Sequence, residues 1–270
     1  MTLALLGMAG TVIAQESPDV HPQLRSDWWV DIGSYYPDRK FVLSADGSVP
    51  GENDEYEFGK QLGLSERDPL FEAQVGWQFG EKWGVAAQYF TSSKDARKTL
   101  TDDVEWEDVV YEVGADLRAG TELSVTRVVF SRRFIDRGPH DFRLAAGLHL
   151  LELSAFVSGQ ARVDDMTSEF RKSQNSVSSP LPNIGAWYRY SPSNKWLFSA
   201  RADWLEATVD ETSGSITNLA VGFNYSVLDN VGIGLGFQRF GLDVELKEKN
   251  WRGTADLTFS GPTFFISGYW

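Results

Sequence analysis

The chain has no cysteine. That excludes a disulfide framework and fits an exported protein that needs none, although it does not by itself assign a compartment. Beyond the N-terminal segment there is no apolar run of 18 residues, so no transmembrane helix is expected. No segment carries a 3.6-residue hydrophobic period, which leaves no helix of consequence. Basic residues are outnumbered, 25 Lys and Arg against 38 Asp and Glu, for a net charge of −13. A surface that tracks phosphates needs clustered cations, so nucleic acid is excluded as a partner. The acidic balance favours solubility in transit and says nothing of function. Histidine is limited to three residues, His21, His140 and His149, which narrows the scope for general-base chemistry.

What the chain has in quantity is aromatic residues, 13% of the sequence with ten Trp, and 25 Gly. It opens on MTLALLGMAGTVIAQ, a short apolar stretch of small residues. Val12-Ile13-Ala14 offers small residues at the positions a signal peptidase reads, so residues 1–14 are expected to be a signal peptide cleaved near Ala14/Gln15. No Lys or Arg precedes the apolar run, a departure from the usual signal pattern. Residues 15–26 are expected to be disordered, and 27–270 to form one domain.

Strict alternation dominates the rest. Phe71, Ala73, Val75, Trp77 and Phe79 share one face of a segment whose other face is Glu72, Gln74, Gly76 and Gln78. After Gly80-Glu81-Lys82 the pattern resumes with Trp83, Val85, Ala87 and Tyr89, which makes a hairpin. Thr126, Val128, Phe130 and Phe134 alternate with Arg127, Val129, Ser131 and Arg133. Phe142, Leu144, Ala146 and Leu148 oppose Arg143, Ala145, Gly147 and His149. Further strands run through Ile184–Tyr190, Trp196–Trp204, Leu219–Tyr225 and Val231–Gln238, with a first strand from Trp28 to about Ala45 and a last from about Asn250 to Trp270.

These segments predict an all-β, antiparallel, up-and-down transmembrane barrel of ten strands, with eight or twelve as alternatives. The turns after Phe79, Ile135, Tyr190 and Val227 are short, whereas 47–68, 101–120 and 160–180 are expected to be long polar loops. That asymmetry is the transmembrane barrel pattern, short turns and both termini facing the periplasm, long loops outside. Trp28, Trp77, Phe79, Trp83, Phe134, Phe142, Tyr190, Trp196, Tyr225 and Trp270 all lie near a short turn or a terminus, as a lipid–water interface selects. A soluble barrel would bury its apolar face inside and has no reason to gather aromatics at one rim.

Several motifs carry a resemblance. Tyr56-Glu57-Phe58-Gly59-Lys60-Gln61-Leu62-Gly63-Leu64, Val75-Gly76-Trp77-Gln78-Phe79, Gly147-Leu148-His149, Pro180-Leu181-Pro182-Asn183-Ile184-Gly185, Val231-Gly232-Ile233-Gly234-Leu235-Gly236-Phe237 and Gly261-Pro262 resemble a poorly characterised family of proteobacterial outer-membrane β-barrel proteins. The resemblance covers most of the chain from about Trp28. It implies the outer membrane as location and implies no enzymatic activity. Such barrels usually end on an aromatic residue after an alternating strand, which the barrel-assembly machinery reads. Phe264, Ile266 and Trp270 fit, while Gly268 stands where a hydrophobic residue is common. The partners expected are outer-membrane lipid, lipopolysaccharide and that machinery, with a small solute possible.

The face opposite the apolar one defines the candidate site. Glu72, Arg127, Arg143, His149, Arg189, Arg201 and Asp203 are expected to form a polar network in the lumen. Charges of both signs in a narrow barrel predict paired groups and a largely closed interior. His149 could serve as a base or a pH-sensitive gate, but a structural histidine in that network is the plainer reading. No His stands in a His-x-Ser context like that of lipid A deacylases, so no catalytic residue is assigned and a lipid-modifying enzyme ranks below both a surface-interaction barrel and a narrow channel. The acidic run Asp102, Asp103, Glu105, Glu107 and Asp108 lacks EF-hand spacing and reads as solvated loop charge. No metal and no cofactor are expected.

Overall fold

The computed structural model describes residues 20–46, 68–99, 104–106, 109–111, 114, 116–163, 166–209, 212–248 and 251–270. The proposed signal peptide and the expected loop 47–67 lie outside them. The strands are β1 (Trp28–Tyr35), β2 (Asp38–Asp46), β3 (Leu70–Phe79), β4 (Trp83–Thr99), β5 (Val104–Trp106), β6 (Val109–Tyr111), β7 (Asp116–Arg137), β8 (His140–Val163), β9 (Met166–Tyr190), β10 (Trp196–Val209), β11 (Thr212–Leu228), β12 (Val231–Glu248) and β13 (Trp251–Tyr269).

All pairings are antiparallel, the staves of the ring follow one another in chain order, and the ring closes where β13 pairs with β1. β1 and β2 both pair with β13, interrupted only at Tyr36-Pro37, and together form one stave. With β3, β4 and β7 to β13 this makes ten staves, the number the alternation predicts. Backbone bonds between Trp28 and Trp270, 3.0 Å in each direction, seal the last gap. Closure matters because hydrocarbon offers no partner for an unpaired N–H or C=O.

The outward residues are the apolar set. Ile184 and Val221 are each 59% exposed, and Ile32, Phe71, Phe130, Leu148, Leu235, Phe237 and Ile266 are exposed with them. A belt of large apolar side chains running round the molecule far exceeds the patches a monomer shows to water; it is a surface for lipid. Aromatics bound it at the end with short turns. Trp28 stacks on Trp77 at 5.2 Å, Trp83 on Phe130 at 5.0 Å, and Trp196 lies 4.9 Å from Tyr225. Tyr36, Tyr89 and Trp204, also exposed, bound it on the other side. On β10, Trp196 and Trp204 are about 26 Å apart along the strand, close to the height of an apolar membrane band.

Two expectations are corrected here. The stretches read as long polar loops are largely strand. Residues 160–180 belong to the hairpin β8–β9, whose strands have 24 and 25 residues. Within 101–120 lie β5, β6 and the start of β7, and β6 touches β8 at Val110–Arg162. A strand of 24 residues is about 80 Å long, more than twice what a bilayer needs. Beyond the lipid both faces of a hairpin are wet, so the period-2 signal vanishes while the backbone pairing continues. In β9, Pro180 and Pro182 stand two apart and so remove N–H donors from one and the same edge. The ladder with β10 stops at Ile184 while the ladder with β8 runs on. There β9 parts from β10, while β8 stays paired with β7 as far as Ser158. Of the acidic run, only Glu105 is described, in β5.

The second correction concerns the segment 15–26, of which 15–19 lie outside the described residues and 20–26 are described. Instead of being disordered, residues 20–26 fold into the mouth at the short-turn end. Pro22–Leu24 forms a single 3-10 turn, capped by the His21 side chain, which accepts from the Gln23 N–H, with Pro22 at a first position that needs no donor. Val20, His21 and Gln23 are buried. Polarity misled the reading: this segment is held by hydrogen bonds to the barrel wall, not by an apolar face.

Candidate functional site: the layered lumen

Inward residues form four layers, described here from the short-turn end. The first is the plug. The His21 N–H donates to Ser191 Oγ at 2.7 Å, and the ring sits edge-on to Tyr269 at 5.2 Å. Gln23 Oε1 accepts from Asn224 Nδ2 at 3.2 Å, and Asn224 also donates to Ser267 Oγ at 2.7 Å. Burial, reinforced by Arg189, Arg25 and Lys195, pushes the His21 pKa down to about 4, so its ring is neutral at pH 7.

The second layer is an arginine cluster around Asp141. Arg143 donates to it from Nε at 2.8 Å and Nη2 at 3.0 Å. Arg189 Nη2 donates at 3.0 Å, and Arg133 Nε lies 2.9 Å away. The register explains the meeting: Asp141 is opposite Arg189, Arg143 is two residues along the same face, and Arg133 is opposite Arg143. One buried and two largely buried guanidiniums on one carboxylate make that carboxylate indispensable.

The third layer crosses the lumen. Arg127 Nη2 of β7 reaches Asp203 Oδ1 of β10 at 2.6 Å, with both side chains almost fully buried. Arg127 also lies over the Trp187 ring at 5.1 Å. Arg201 Nε is 3.5 Å from Asp203 Oδ2, and its Nη1 donates to Gln74 Oε1 at 3.3 Å. Glu72 Oε1 then accepts from Gln74 Nε2 at 3.0 Å and from Gln88 Nε2 at 2.5 Å, and Gln88 reaches Gln238 Oε1 at 3.3 Å. The Asp203 carboxylate lies across Gly185, where an added Cβ would sit 2.1 Å from its Oδ1. Only glycine leaves that space.

The fourth layer is a septum. Tyr35, Leu70, Phe90, Leu123, Val125, Leu151, Ile216, Phe240, Leu242, Leu257 and Phe259 are all buried and form one apolar cluster. Phe90 meets Phe240 edge-on at 5.6 Å, and Tyr35 meets Phe90 at 6.2 Å. Below it, bounded by the plug and the two ion-paired layers, is a cavity of about 150 Å³.

The seven residues proposed from sequence all face the interior, but they do not form one network. Arg143 and Arg189 belong to the Asp141 cluster. Arg127, Arg201 and Asp203 meet directly, and Glu72 joins them through Gln74. His149 stands apart. It is fully buried opposite Arg127, its ring 6.3 Å from Phe240, and neither ring nitrogen has a hydrogen-bond partner among the described residues. Sequence reasoning missed Asp141, which has the inward parity of Arg143 but lies just before the point where that strand was taken to begin. It missed the septum too, although Leu123 and Val125 share the parity of Arg127, and Phe240 and Leu242 that of Gln238. Among the described residues no cluster of three or more metal-ligating side chains occurs.

No family model matches the chain, and no curated protein is similar to it. Solved structures are similar in fold. The outer-membrane protease OmpT from Escherichia coli aligns over 90% of this chain and 97% of its own, with 10% identity and a TM-score of 0.55. The attachment invasion locus protein Ail of Yersinia pestis aligns over 88% and 99%, with 10% identity and a TM-score of 0.27. The toluene transporter TodX of Pseudomonas putida aligns over 90% of both chains, with 9% identity and a TM-score of 0.34. The fold of this chain is that of outer-membrane β-barrel proteins: a closed antiparallel barrel of ten staves.

Proposed function

We propose that this protein resides in the outer membrane with both termini in the periplasm, and that its closed barrel serves a structural or surface-interaction role without catalysis. The observation that carries this reading is the septum: eleven buried apolar side chains spanning the lumen above a layer of paired charges. Water and ions have no polar path through such a layer. The long hairpin β8–β9, whose β9 edge is free of β10 beyond Ile184, then offers the contact surface on the outside. Lipid and lipopolysaccharide meet the apolar belt, and the barrel-assembly machinery acts on the chain during insertion.

A peptidase reading, suggested by the OmpT neighbour, finds little support in the placement of histidine. His21 is in the plug, His140 is at the outer short-turn rim bonded to Tyr188 Oη at 2.7 Å, and His149 is sealed beneath the septum. None stands at the open, long-loop end, where a general base would have to meet a peptide from outside. A narrow channel for small polar or amphipathic solutes is the second reading, favoured by the cavity between plug and septum. Planar-bilayer recording of the refolded chain separates the two. The closed reading expects current at the level of the bare membrane; steady unit conductance steps overturn it in favour of the channel.

A further inference from the structure

The cavity beneath the septum is built unlike the layers around it. Its wall presents five guanidiniums, from Arg127, Arg133, Arg143, Arg189 and Arg201, and two carboxylates, from Asp31 and Glu72. Both carboxylates already accept hydrogen bonds, Asp31 from Ser267 at 2.5 Å and Glu72 from Gln74 and Gln88. The wall's unused charged capacity is for donation, although the amide oxygens of Gln78, Gln88 and Asn224 are also without a partner among the described residues. Buried Arg201 Nη2, Arg201 Nε, Arg189 Nε and Trp187 Nε1 make no hydrogen bond to protein among the described residues. Leaving buried guanidinium donors without acceptors is costly, and an anion in the cavity supplies them.

The rest of the wall mixes amides and hydroxyls, such as Gln74, Gln88 and Thr263, with an apolar and aromatic part. Trp29, Trp187, Leu197 and Phe265 supply that apolar part. The Trp29 ring lies against Gly76, where an added Cβ would fall 2.2 Å from it, so the backbone is shaped to receive the indole. Ser199 points inward from β10 yet is exposed, because it looks into this space. Apolar cavities of about 150 Å³ hold one benzene-sized ring. A ring-sized apolar body with one anionic group matches both halves of the wall.

We propose that this cavity is a binding site for a small aromatic carboxylate, its carboxylate held by Arg201 and the arginine cluster and its ring packed among Trp29, Trp187 and Phe265. The septum closes the other side and the plug supplies the floor through Gln23 and Ser26, so the ligand arrives past the plug from the short-turn side. Binding requires no passage through the septum. A conducting barrel would therefore defeat the closed-lumen reading and leave this site standing, whereas a failure to bind would do the reverse.

The test is calorimetric titration of the refolded full chain in detergent micelles with benzoate, acetate and benzyl alcohol, with the heats of empty micelles subtracted. Benzoate should bind saturably, and acetate and neutral benzyl alcohol at least tenfold more weakly. Arg201→Gln leaves the Arg127–Asp203 pair in place and should weaken benzoate at least tenfold. Ser199→Trp fills the space and should abolish binding. Folding of each variant is checked by its gel shift on boiling. Absence of saturable benzoate binding overturns the proposal. So does benzyl alcohol binding as well as benzoate, or benzoate binding that both folded variants leave unchanged. Should either variant fail to fold, the comparison of the three ligands on the wild type still decides.

Discussion

Along β12 the molecule changes its inside for its outside without changing parity. From Val231 to Phe237 the odd residues Val231, Ile233, Leu235 and Phe237 point out and are exposed, while Gly232, Gly234, Gly236 and then Gln238 point in. Two residues later Arg239 points out, and Phe240 and Leu242 point in and are buried. β13 repeats the switch, with Phe264 and Ile266 outward in one region and Leu257 and Phe259 inward in the other. The lower barrel is apolar outside and polar inside; the upper barrel is the reverse. The difference teaches that one backbone serves two solvents. Hydrocarbon outside removes any drive to bury apolar groups. Where water returns, the drive returns with it, and the core forms in the lumen. The septum is that core.

The largest expected effect tests the polar half. Asp203 is the shared acceptor of Arg127 and Arg201. Asp203→Ala strands one fully buried and one nearly buried guanidinium, and breaking a buried pair by removing one partner costs about 3–5 kcal/mol. Denaturant unfolding of the refolded protein measures it. A cost near zero would mean that the charges are solvated by a wide pore.

The same figure should divide two phenylalanines three residues apart. Phe240→Ala empties a packed site in the septum and should cost about 3–5 kcal/mol. Phe237→Ala faces lipid, which flows into the space, and should cost well under half as much. Equal losses would deny that the two regions differ in packing.

A charge placed outside reads the boundary directly. Leu235→Arg puts a cation in the lipid belt and should cost about 2–4 kcal/mol. Thr217→Arg, outward on β11 opposite Trp204 at the edge of the belt, should cost at most about 1 kcal/mol. If both are tolerated in bilayer-refolded protein, the outward surface at Leu235 is not in hydrocarbon.

The lower region was the legible one. Alternation such as Phe71 to Phe79 against Glu72 to Gln78 needs one wet and one greasy face, and that condition holds only within the belt. It located the hairpins, the ten staves and the inward direction of Arg127, Arg143, Arg201 and Asp203. Above the belt the same parity carries the opposite chemistry, so Leu123, Phe240 and Leu257 looked like the ends of patterns instead of a core. The partners of each charge were not legible. Asp141 meets Arg189 through register and Arg127 meets Asp203 across the lumen, and neither distance is written in the local sequence. The plug was illegible for a third reason: His21 and Gln23 are polar residues buried by specific bonds, a situation that composition reads as exposure.

The smallest effect concerns that plug, the one element of the lumen among the described residues that is not a strand. His21 is buried against Tyr269 and Ser191, with Arg189 of β9, Lys195 of the following turn and Arg25 of its own segment as neighbouring cations. Burial first, then those cations, lower its pKa from 6.5 to about 4. The docked state thus binds fewer protons than the released state between those values. By linkage, docking is favoured fully above pH 6.5, weakens as pH falls toward 4, and changes no further through this group below that. The barrel wall should not follow, because its ladders do not depend on His21. Hydrogen exchange or limited proteolysis at residues 20–26, compared at pH 7.5 and pH 4.5, should show the plug loosening at the lower pH while the strand amides stay protected. His21→Phe keeps a ring against Tyr269 without a titrating group and should flatten the pH dependence. Release that is the same at both pH values in the wild type, or that is unchanged in His21→Phe, would mean that the plug is held by Gln23 and the backbone alone and that the neutral imidazole contributes nothing to the seal.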